Sequence, residues 1–262
     1  MGGHRLHRVV LGEGPPLVLL HGFGGWAFAW RHNYAALGRR FRVHALDLLG
    51  FGRSAKPRGP IYDLAVQAAL VSEYLATFAG GEADLLGHSL GGGVALSVAA
   101  QRPERVRRLV LVASIWPGQS FAPDRRLLRL LASPLGPGLL RVLARPRVVA
   151  RTLRSVYGDP SQVDRATIRG YAEPVRARGA AAALAGLLGS RFLGEALDLS
   201  RIAQPALLIW GARDPVVPKA VGDRLAAELP AATLEVWPGV GHVPSEEAPE
   251  RFNRRVIEFL GG

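Results

Sequence analysis

The sequence predicts an α/β protein, in which a mostly parallel β-sheet is flanked by helices and carries a helical insertion. Three observations predict this fold. Near both ends of the chain, short apolar runs that suit buried strands alternate with longer stretches of helical spacing. The middle of the chain has helical spacing alone, interrupted by prolines. The 262 residues, 48% of them hydrophobic, suffice for one large core, so a second full domain is not required.

Seven apolar runs have the length of a strand, and four stretches between or after them have the spacing of a helix. The predicted strands are 5–10, 17–21, 42–47, 83–87, 106–113, 205–211 and 233–237. The predicted helices are 63–78, 90–101, 218–228 and 249–260.

The alternation of strands and helices breaks between residues 116 and 196. Apolar and arginine residues recur there at helical spacing, and seven prolines interrupt them. We therefore expect a core formed by residues 1–115 and 197–262, and a helical cap formed by residues 116–196.

Composition excludes several classes of protein. The chain has no cysteine, which rules out disulfides, a thiolate nucleophile, zinc-thiolate sites and iron–sulfur clusters. No apolar run is long enough to span a bilayer, and the N-terminus lacks the apolar region of a secretory signal. We expect a cytoplasmic protein.

The net charge of +12 has two interpretations. Arginine outnumbers lysine strongly, which is typical of GC-rich coding or of heat adaptation. However, thirteen arginines and only five acidic residues lie between residues 116 and 196, so the charge is concentrated in the predicted cap. This concentration keeps open the second interpretation, selection for an anionic partner such as an acidic substrate or an anionic membrane surface that the cap contacts weakly. We do not expect a nucleic acid partner.

A candidate nucleophile lies directly after the strand 83–87. Gly87, Ser89 and Gly91 form a Gly-x-Ser-x-Gly sequence between a strand and a helix, which is the context this motif requires. The turn is expected to strain the serine backbone, and glycines two residues to either side avoid side-chain clashes. The sequence therefore predicts Ser89 as a nucleophile above the carboxyl edge of the sheet.

A serine nucleophile needs a histidine base and an acid that orients the base. Among the seven histidines, only His242 lies in a loop after the last strand. Asp214 follows the strand 205–211, which yields the chain order Ser, Asp, His expected for this architecture. The alternative is that Asp214 is only a turn residue before a proline.

Two backbone amides are predicted to bind the oxyanion. One is the amide of Leu90, at the start of the helix after Ser89. The other is the amide of Phe23, in the glycine-rich loop 21–25 that follows the strand 17–21.

These motifs resemble the α/β-hydrolase superfamily over nearly the whole chain outside the insertion. The matching stretches are HGFGG (21–25), DLLGFGRS (47–54), GHSLGG (87–92), GARDPVVP (211–218) and GHVPSEEAPERFN (241–253). The resemblance implies an eight-stranded sheet, a helical cap after the sixth strand and a structural role for the loop 47–54. A serine mechanism of this kind needs neither an organic cofactor nor a metal.

The expected activity is hydrolysis of small to medium apolar carboxylic esters through an acyl-enzyme. Ser89 argues against dehalogenases and epoxide hydrolases, which carry aspartate at this position. Carbon–carbon bond hydrolases, cofactor-free haloperoxidases, a membrane-surface lipid hydrolase and a non-enzymatic receptor on the same scaffold remain alternatives. Trp26, Trp116 and His88 are predicted to contact substrate, and leucines of the cap are predicted either to form pocket walls or to pack the cap on the core.

Overall fold

The computed structural model describes residues 1–59, 61–118, 133, 135–143, 145–177, 179–189 and 196–261. These residues form one seven-stranded sheet of order β1-β3-β2-β4-β5-β6-β7. β1 pairs with β3 in the antiparallel direction and all other pairs are parallel. The strands are β1 (Arg8–Leu11), β2 (Pro16–Leu20), β3 (Arg42–Leu46), β4 (Ala83–His88), β5 (Val106–Val112), β6 (Ala206–Gly211) and β7 (Ala232–Trp237).

All seven strands were predicted from apolar runs, with ends that differ by a few residues. The eight strands that the resemblance implied are corrected to seven within the described part of the chain. The seven runs account for every strand of this sheet. Residues 1–7 form no strand of this sheet. The backbone N–H of His4 donates to the Met1 carbonyl, and that of His7 donates to Ser54 Oγ.

Ten helices lie in the described part of the chain. They are α1 (Tyr34–Leu37), α2 (Leu64–Phe78), α3 (Leu90–Gln101), α4 (Gly136–Leu143), α5 (Pro146–Val156), α6 (Arg165–Val175), α7 (Ala180–Gly189), α8 (Lys219–Glu228), α9 (Pro244–Glu247) and α10 (Pro249–Gly261). Four short 3₁₀ helices span Ala27–Trp30, Pro103–Arg105, Pro160–Gln162 and Leu199–Arg201. No described helix is long and apolar enough to cross a membrane.

The central strands are buried on both faces, which explains their continuous apolar runs. Leu85 and Leu111 face the core beneath α2, α3 and α8, whereas their neighbours Leu86 and Val110 face the opposite core. That second core contains Trp30 and also Phe252 of α10. Side chains thus alternate between two hydrophobic layers.

The strand order determines where a cleft forms. From β2 the chain moves to β3 on one side and then to β4 on the other side, so the loops after β2 and β4 diverge. In open α/β sheets, ligands bind at this switch point, outside the carboxyl ends of the strands. The loop 21–25 and Ser89 lie there.

Helices α4–α7 lie in the chain between β5 and β6, within the segment predicted as a cap. Pro146 occupies the first turn of α5, where its missing N–H costs no helical bond. Asp164 caps α6 by accepting a 2.7 Å hydrogen bond from the Thr167 amide. Local capping therefore begins these helices despite the high proline content.

The loop after β3 is stabilised by hydrogen bonds to the side chain of Asp47. The buried carboxylate of Asp47 accepts 2.7 Å hydrogen bonds from the amides of Ala27 and Arg53. At Gly52, where φ is +48°, a Cβ would lie 2.2 Å from Asp47 Oδ2. These contacts agree with the structural role predicted for residues 47–54.

Candidate active site

The turn between β4 and α3 holds Ser89 in a strained conformation. Its φ is +51° and its ψ is −113°, a region that costs a non-glycine residue on the order of 1–3 kcal/mol. The Ser89 amide donates to the Val112 carbonyl at 2.9 Å, and the Ser89 carbonyl accepts from the Ile115 amide at 3.1 Å. The neighbouring strand β5 and its loop thus hold the turn in place.

The glycines beside Ser89 are required by close backbone approach. A Cβ at Gly87 would lie 2.3 Å from the Gly91 carbonyl oxygen, and a Cβ at Gly91 would lie 2.2 Å from the Leu20 carbonyl oxygen. The first clash is within the turn, and the second is with the end of β2. The two glycines therefore fit the turn against the neighbouring strand.

His242 and Asp214 form a hydrogen-bonded pair. His242 Nδ1 lies 2.8 Å from Asp214 Oδ2, and the Asp214 side chain is fully buried. Asp214 Oδ1 accepts from the amides of Val216 and Val217, at 2.7 and 3.0 Å. The carboxylate is thereby fixed, and it favours the tautomer in which Nδ1 carries the proton and Nε2 is the acceptor.

The backbone of His242 is held from two sides. Its amide donates to the carbonyl of Val156, the last residue of α5, at 2.7 Å. Its carbonyl accepts from His88 Nε2 at 2.8 Å. Burial, and secondarily the neighbouring His242, lower the pKa of His88 to about 3, so His88 is a neutral donor at physiological pH.

Two consecutive glutamates of α9 tie the cap to the histidine loop. Glu247 accepts hydrogen bonds from the amides of Gly241 and Val243, which flank His242, and from the amide of Gly158 in the cap. Burial raises the pKa of Glu247, and the three amides oppose that shift. Glu247 therefore links the position of the cap to that of His242.

Glu246 is the centre of a second, buried network. It pairs with Arg31 of the core at 2.5 Å and accepts from the hydroxyl of Tyr157 at 2.9 Å and from that of Tyr171. Arg31 also donates to Thr167 of α6 at 2.9 Å. The ion pair and both tyrosines thus join the cap to the core beside the active site.

The loop after β2 packs directly against the nucleophile turn. A Cβ at Gly22 would lie 2.7 Å from His88 Nδ1 and 3.1 Å from Ser89 Cβ. The buried ring of His21 fixes the loop, since its Nδ1 lies 2.8 Å from the Gly22 carbonyl and its Nε2 accepts from the Leu48 amide at 3.0 Å. Phe23 therefore lies beside Ser89. Leu90 is the first residue of α3, a position whose N–H has no intrahelical acceptor.

A cavity of about 460 Å³ contains Ser89, His242 and His88 in its wall. The remainder is mostly apolar and comes from the loops of the core and from cap helices α5, α6 and α7. These residues include Phe23, Phe51, Val149, Leu153, Val156, Tyr171, Val175, Leu184, Leu187, Val216 and Val243. Among the residues that the structure describes, no group of three His, Asp or Glu side chains is arranged to bind a metal ion.

Comparison with known proteins identifies the family. The family profile described as the alpha/beta hydrolase fold matches residues 15–249. The protein is an α/β-hydrolase.

Its relatives support hydrolase chemistry but differ in substrate. This hydrolase is 33% identical to an uncharacterized hydrolase, YugF, of Bacillus subtilis, over 93% of this chain and 89% of that protein. It is also 33% identical to haloalkane dehalogenase 2 of Mycobacterium tuberculosis, over 98% of this chain and 92% of that protein. The meta-cleavage product hydrolase CumD from Pseudomonas fluorescens IP01 superposes with a TM-score of 0.81 at 25% identity, covering 99% of this chain and 95% of that one.

In this hydrolase, two residues that were predicted to contact substrate lie elsewhere. Trp26 does not line the catalytic cavity; its Nε1 donates to the Gly170 carbonyl of α6 at 2.9 Å, and its ring stacks on Phe28. Trp116 is absent from the cavity wall as well, and the guanidinium of Arg224 lies 3.4 Å from the centre of its ring. Of the three predicted residues, only His88 lies in the wall.

The cap leucines that were predicted either to form pocket walls or to pack the cap on the core are described only in part by the structure. Leu127, Leu128, Leu130 and Leu131 lie outside the described residues, as do the side chains of Leu140 and Leu143. Leu135 and Val142 are 72% and 43% exposed. Among the described residues, the leucines that line the cavity are Leu153, Leu184 and Leu187, from helices α5 and α7.

Glu246 and Glu247, which contact both the cap and the residues around His242, were not among the predicted site residues. They stand within the stretch 241–253 that carries the family resemblance, so their place in the sequence was noticed. Their partners lie 75 to 89 residues away in the chain for the contacts to the cap, and the cap is the segment without a matching motif. No local pattern signals such contacts.

Proposed function

We propose that this hydrolase cleaves carboxylic esters with small to medium apolar acyl groups. The observation that carries the proposal is the apolar cavity of about 460 Å³ with Ser89 and His242 in its wall. That size lies in the range of small-molecule sites. The hydrogen bond between His242 and Asp214 supplies the orientation that a serine nucleophile needs.

In the first half of the reaction, Ser89 Oγ attacks the ester carbonyl while His242 Nε2 takes its proton. Asp214 stabilises the imidazolium through Nδ1–H. The amides of Phe23 and Leu90 bind the oxyanion of the tetrahedral intermediate, which collapses as His242 protonates the departing alcohol. The product is an acyl-enzyme on Ser89.

In the second half, water replaces the alcohol. His242 takes a proton from water, whose oxygen attacks the acyl carbonyl, and the second tetrahedral intermediate uses the same two amides. Collapse returns the proton to Ser89 and releases the carboxylic acid. Every proton transfer passes through His242, so the chemistry requires no metal and no organic cofactor.

The charge of the cavity favours a neutral substrate. Lys56 is the one cationic side chain in the wall among the described residues, and its ammonium donates to the carbonyls of Phe51, Gly52 and Ser54. A buried anionic substrate without a charged partner would cost several kcal/mol. Apolar esters avoid this cost.

Dehalogenation does not fit the nucleophile, despite the dehalogenase relative. A carboxylate that displaces a halide forms an ester, which water can hydrolyse. A serine hydroxyl that displaces a halide forms an alkyl ether, which has no carbonyl for water to attack. Ser89 therefore supports acyl chemistry.

A second candidate is hydrolysis of a carbon–carbon bond next to a carbonyl group. The similarity to the meta-cleavage product hydrolase favours it, with 25% identity over 99% of this chain. The same serine, histidine and aspartate would serve, since the leaving group is a carbon that His242 protonates instead of an oxygen.

The test is hydrolysis of p-nitrophenyl esters of increasing acyl length by the wild type and by Ser89→Ala. We expect an optimum at small to medium chain length and loss of activity in the variant by several orders of magnitude. Ser97→Ala is the matched control, because Ser97 lies on the same helix and bonds only to Gly93 within it. A folded wild type that cleaves a meta-cleavage product at the carbon–carbon bond next to its carbonyl group, but no ester, would overturn the ester proposal in favour of the second candidate.

A further inference from the structure

The mouth of the catalytic cavity has an apolar rim. Three residues of the cavity wall are also exposed to solvent: Phe23, Thr152 and Val216. Phe23 is 46% exposed and Val216 is 49% exposed, and they are among the few large hydrophobic residues exposed in the described part of the chain. Exposed apolar side chains that surround a site mark a surface for a ligand or a membrane.

Helix α5 lies at this mouth and has two distinct faces. Val149, Leu153 and Val156 line the cavity together with Thr152. Arg147, Arg151 and Arg154 are exposed and are spaced four and three residues apart, so they form one stripe along the helix. A single helix thus separates the catalytic cavity from a row of positive charge.

Among the described residues, this stripe of positive charge has no carboxylate partner. Between residues 145 and 177 there are seven arginines and three acidic residues. The part of the cap between residues 145 and 177 therefore carries an excess of positive charge that suits an anionic partner.

We propose that the arginine stripe (Arg147, Arg151 and Arg154) and the apolar rim (Phe23 and Val216) dock the enzyme on an anionic lipid surface. Each arginine near such a surface contributes about 1 kcal/mol, and the rim side chains enter the boundary between headgroups and acyl chains. A helix is about 10–12 Å across with its side chains. The bound enzyme therefore holds its cavity within about one helix diameter of the lipid.

The apolar rim favours lipid over nucleic acid. A phosphate backbone would use the arginines alone and would leave Phe23 and Val216 in water. A lipid surface uses both features, because charge and hydrophobic area add in interfacial binding. If the proposed ester hydrolysis is correct, the natural substrates are esters that partition into membranes; vesicle binding itself does not depend on that activity.

The experiment is co-sedimentation of the full chain with vesicles of phosphatidylcholine, alone or mixed with phosphatidylglycerol. We expect binding to the mixed vesicles only, and loss of binding as salt is raised. A triple variant with Arg147→Gln, Arg151→Gln and Arg154→Gln should bind about 100-fold more weakly. Val216→Ser should weaken binding without changing its salt dependence.

The matched control is a triple variant with Arg39→Gln, Arg40→Gln and Arg102→Gln. These exposed arginines precede β3 and β5, at the opposite edge of the sheet, and the control removes the same charge. Equal weakening in both triple variants would overturn the proposal, as would no binding of the wild type at low salt. Equally tight binding to duplex DNA that Val216→Ser leaves unchanged would assign the surface to nucleic acid instead. Ser89→Ala should sediment like the wild type, which separates this proposal from the catalytic one.

Discussion

At the scale of single residues, hydrogen bonds to neighbouring groups fix the position of each side chain in the site. The imidazole of His242 is fixed at Nδ1 by Asp214, and its backbone is fixed by the Val156 carbonyl and by His88. Asp214 is in turn fixed by two amides. A substitution of Asp214 therefore alters the tautomer and the orientation of the His242 imidazole directly.

We predict that Asp214→Asn lowers kcat by about 10⁴-fold with little change in KM, because an amide can donate to Nδ1 and stabilise the wrong tautomer. Steady-state kinetics on the best p-nitrophenyl ester would measure the loss. Asp223→Asn, at an exposed position on α8 that pairs only with Lys219, should behave as the wild type. An Asp214→Asn enzyme within tenfold of wild-type kcat would contradict the proposed role.

Trp26 tests the corrected role of a predicted substrate residue. Trp26→Phe removes the hydrogen bond from Nε1 to the Gly170 carbonyl and should lower the free energy of unfolding by about 1 kcal/mol. KM for short-chain esters should stay the same, because Trp26 is outside the cavity wall. Thermal unfolding and kinetics on one preparation separate the two roles, and a large rise in KM at unchanged stability would restore the original prediction.

At the scale of elements, α9 couples the cap to the catalytic loop. The Glu247 carboxylate accepts one hydrogen bond from a backbone amide of the cap and others from the two amides beside His242. Glu246 forms an ion pair with Arg31 of the core and accepts hydrogen bonds from the hydroxyls of Tyr157 and Tyr171 in the cap. This short helix therefore connects the cap to the loop that carries His242.

We predict that Glu247→Gln lowers kcat five- to a hundredfold, since the amide nitrogen cannot accept from a backbone N–H and one buried donor loses its partner at about 1–3 kcal/mol. KM should change less than kcat, because the cavity wall is intact. The control is Glu250→Gln, an exposed residue in the first turn of α10. Parallel losses of kcat in both variants would indicate a nonspecific effect of charge.

At the scale of the whole molecule, two buried histidines oppose folding in acid. Burial, aided by Arg42 and Arg8, lowers the pKa of His44 to about 4, and burial lowers that of His88 to about 3. Their ordinary value is 6.5, so below that pH the unfolded chain binds protons that the folded chain does not. Stability is therefore full above pH 6.5 and is lost as pH falls towards each folded pKa.

We predict that the free energy of unfolding falls by up to about 1.4 kcal/mol per pH unit for each of these histidines as pH drops from 6 to 4. His44→Gln removes one titrating group and leaves a hydrogen-bond partner for Tyr74. The slope of its free energy of unfolding against pH should be smaller than that of the wild type by up to about 1.4 kcal/mol per pH unit, which corresponds to one proton. Urea unfolding at several pH values would measure both slopes. Above pH 7 the two proteins should run parallel, and equal slopes between pH 6 and 4 would contradict the assignment to His44.

The sheet and the residues that meet at its carboxyl edge could be predicted from the amino-acid sequence. Apolar runs locate the strands because the central parallel strands are buried on both faces and carry mostly apolar side chains. Glycines and a serine after β4, an aspartate after β6 and a histidine after β7 then share one edge, because parallel strands end there together. Both signals are local in the chain, so they were readable without coordinates.

The contacts between the cap and the core could not be predicted from the sequence, because they join residues that are far apart in the chain. The partner of Trp26 is 144 residues away, and that of Arg31 on α6 is 136 residues away. Which aromatic side chain lines a cavity and which one anchors a helix depends on the angle at which the cap packs, and several packings satisfy the same hydrophobic pattern. The cavity wall, the two glutamates of α9 and the arginine stripe beside the mouth therefore emerge only in three dimensions.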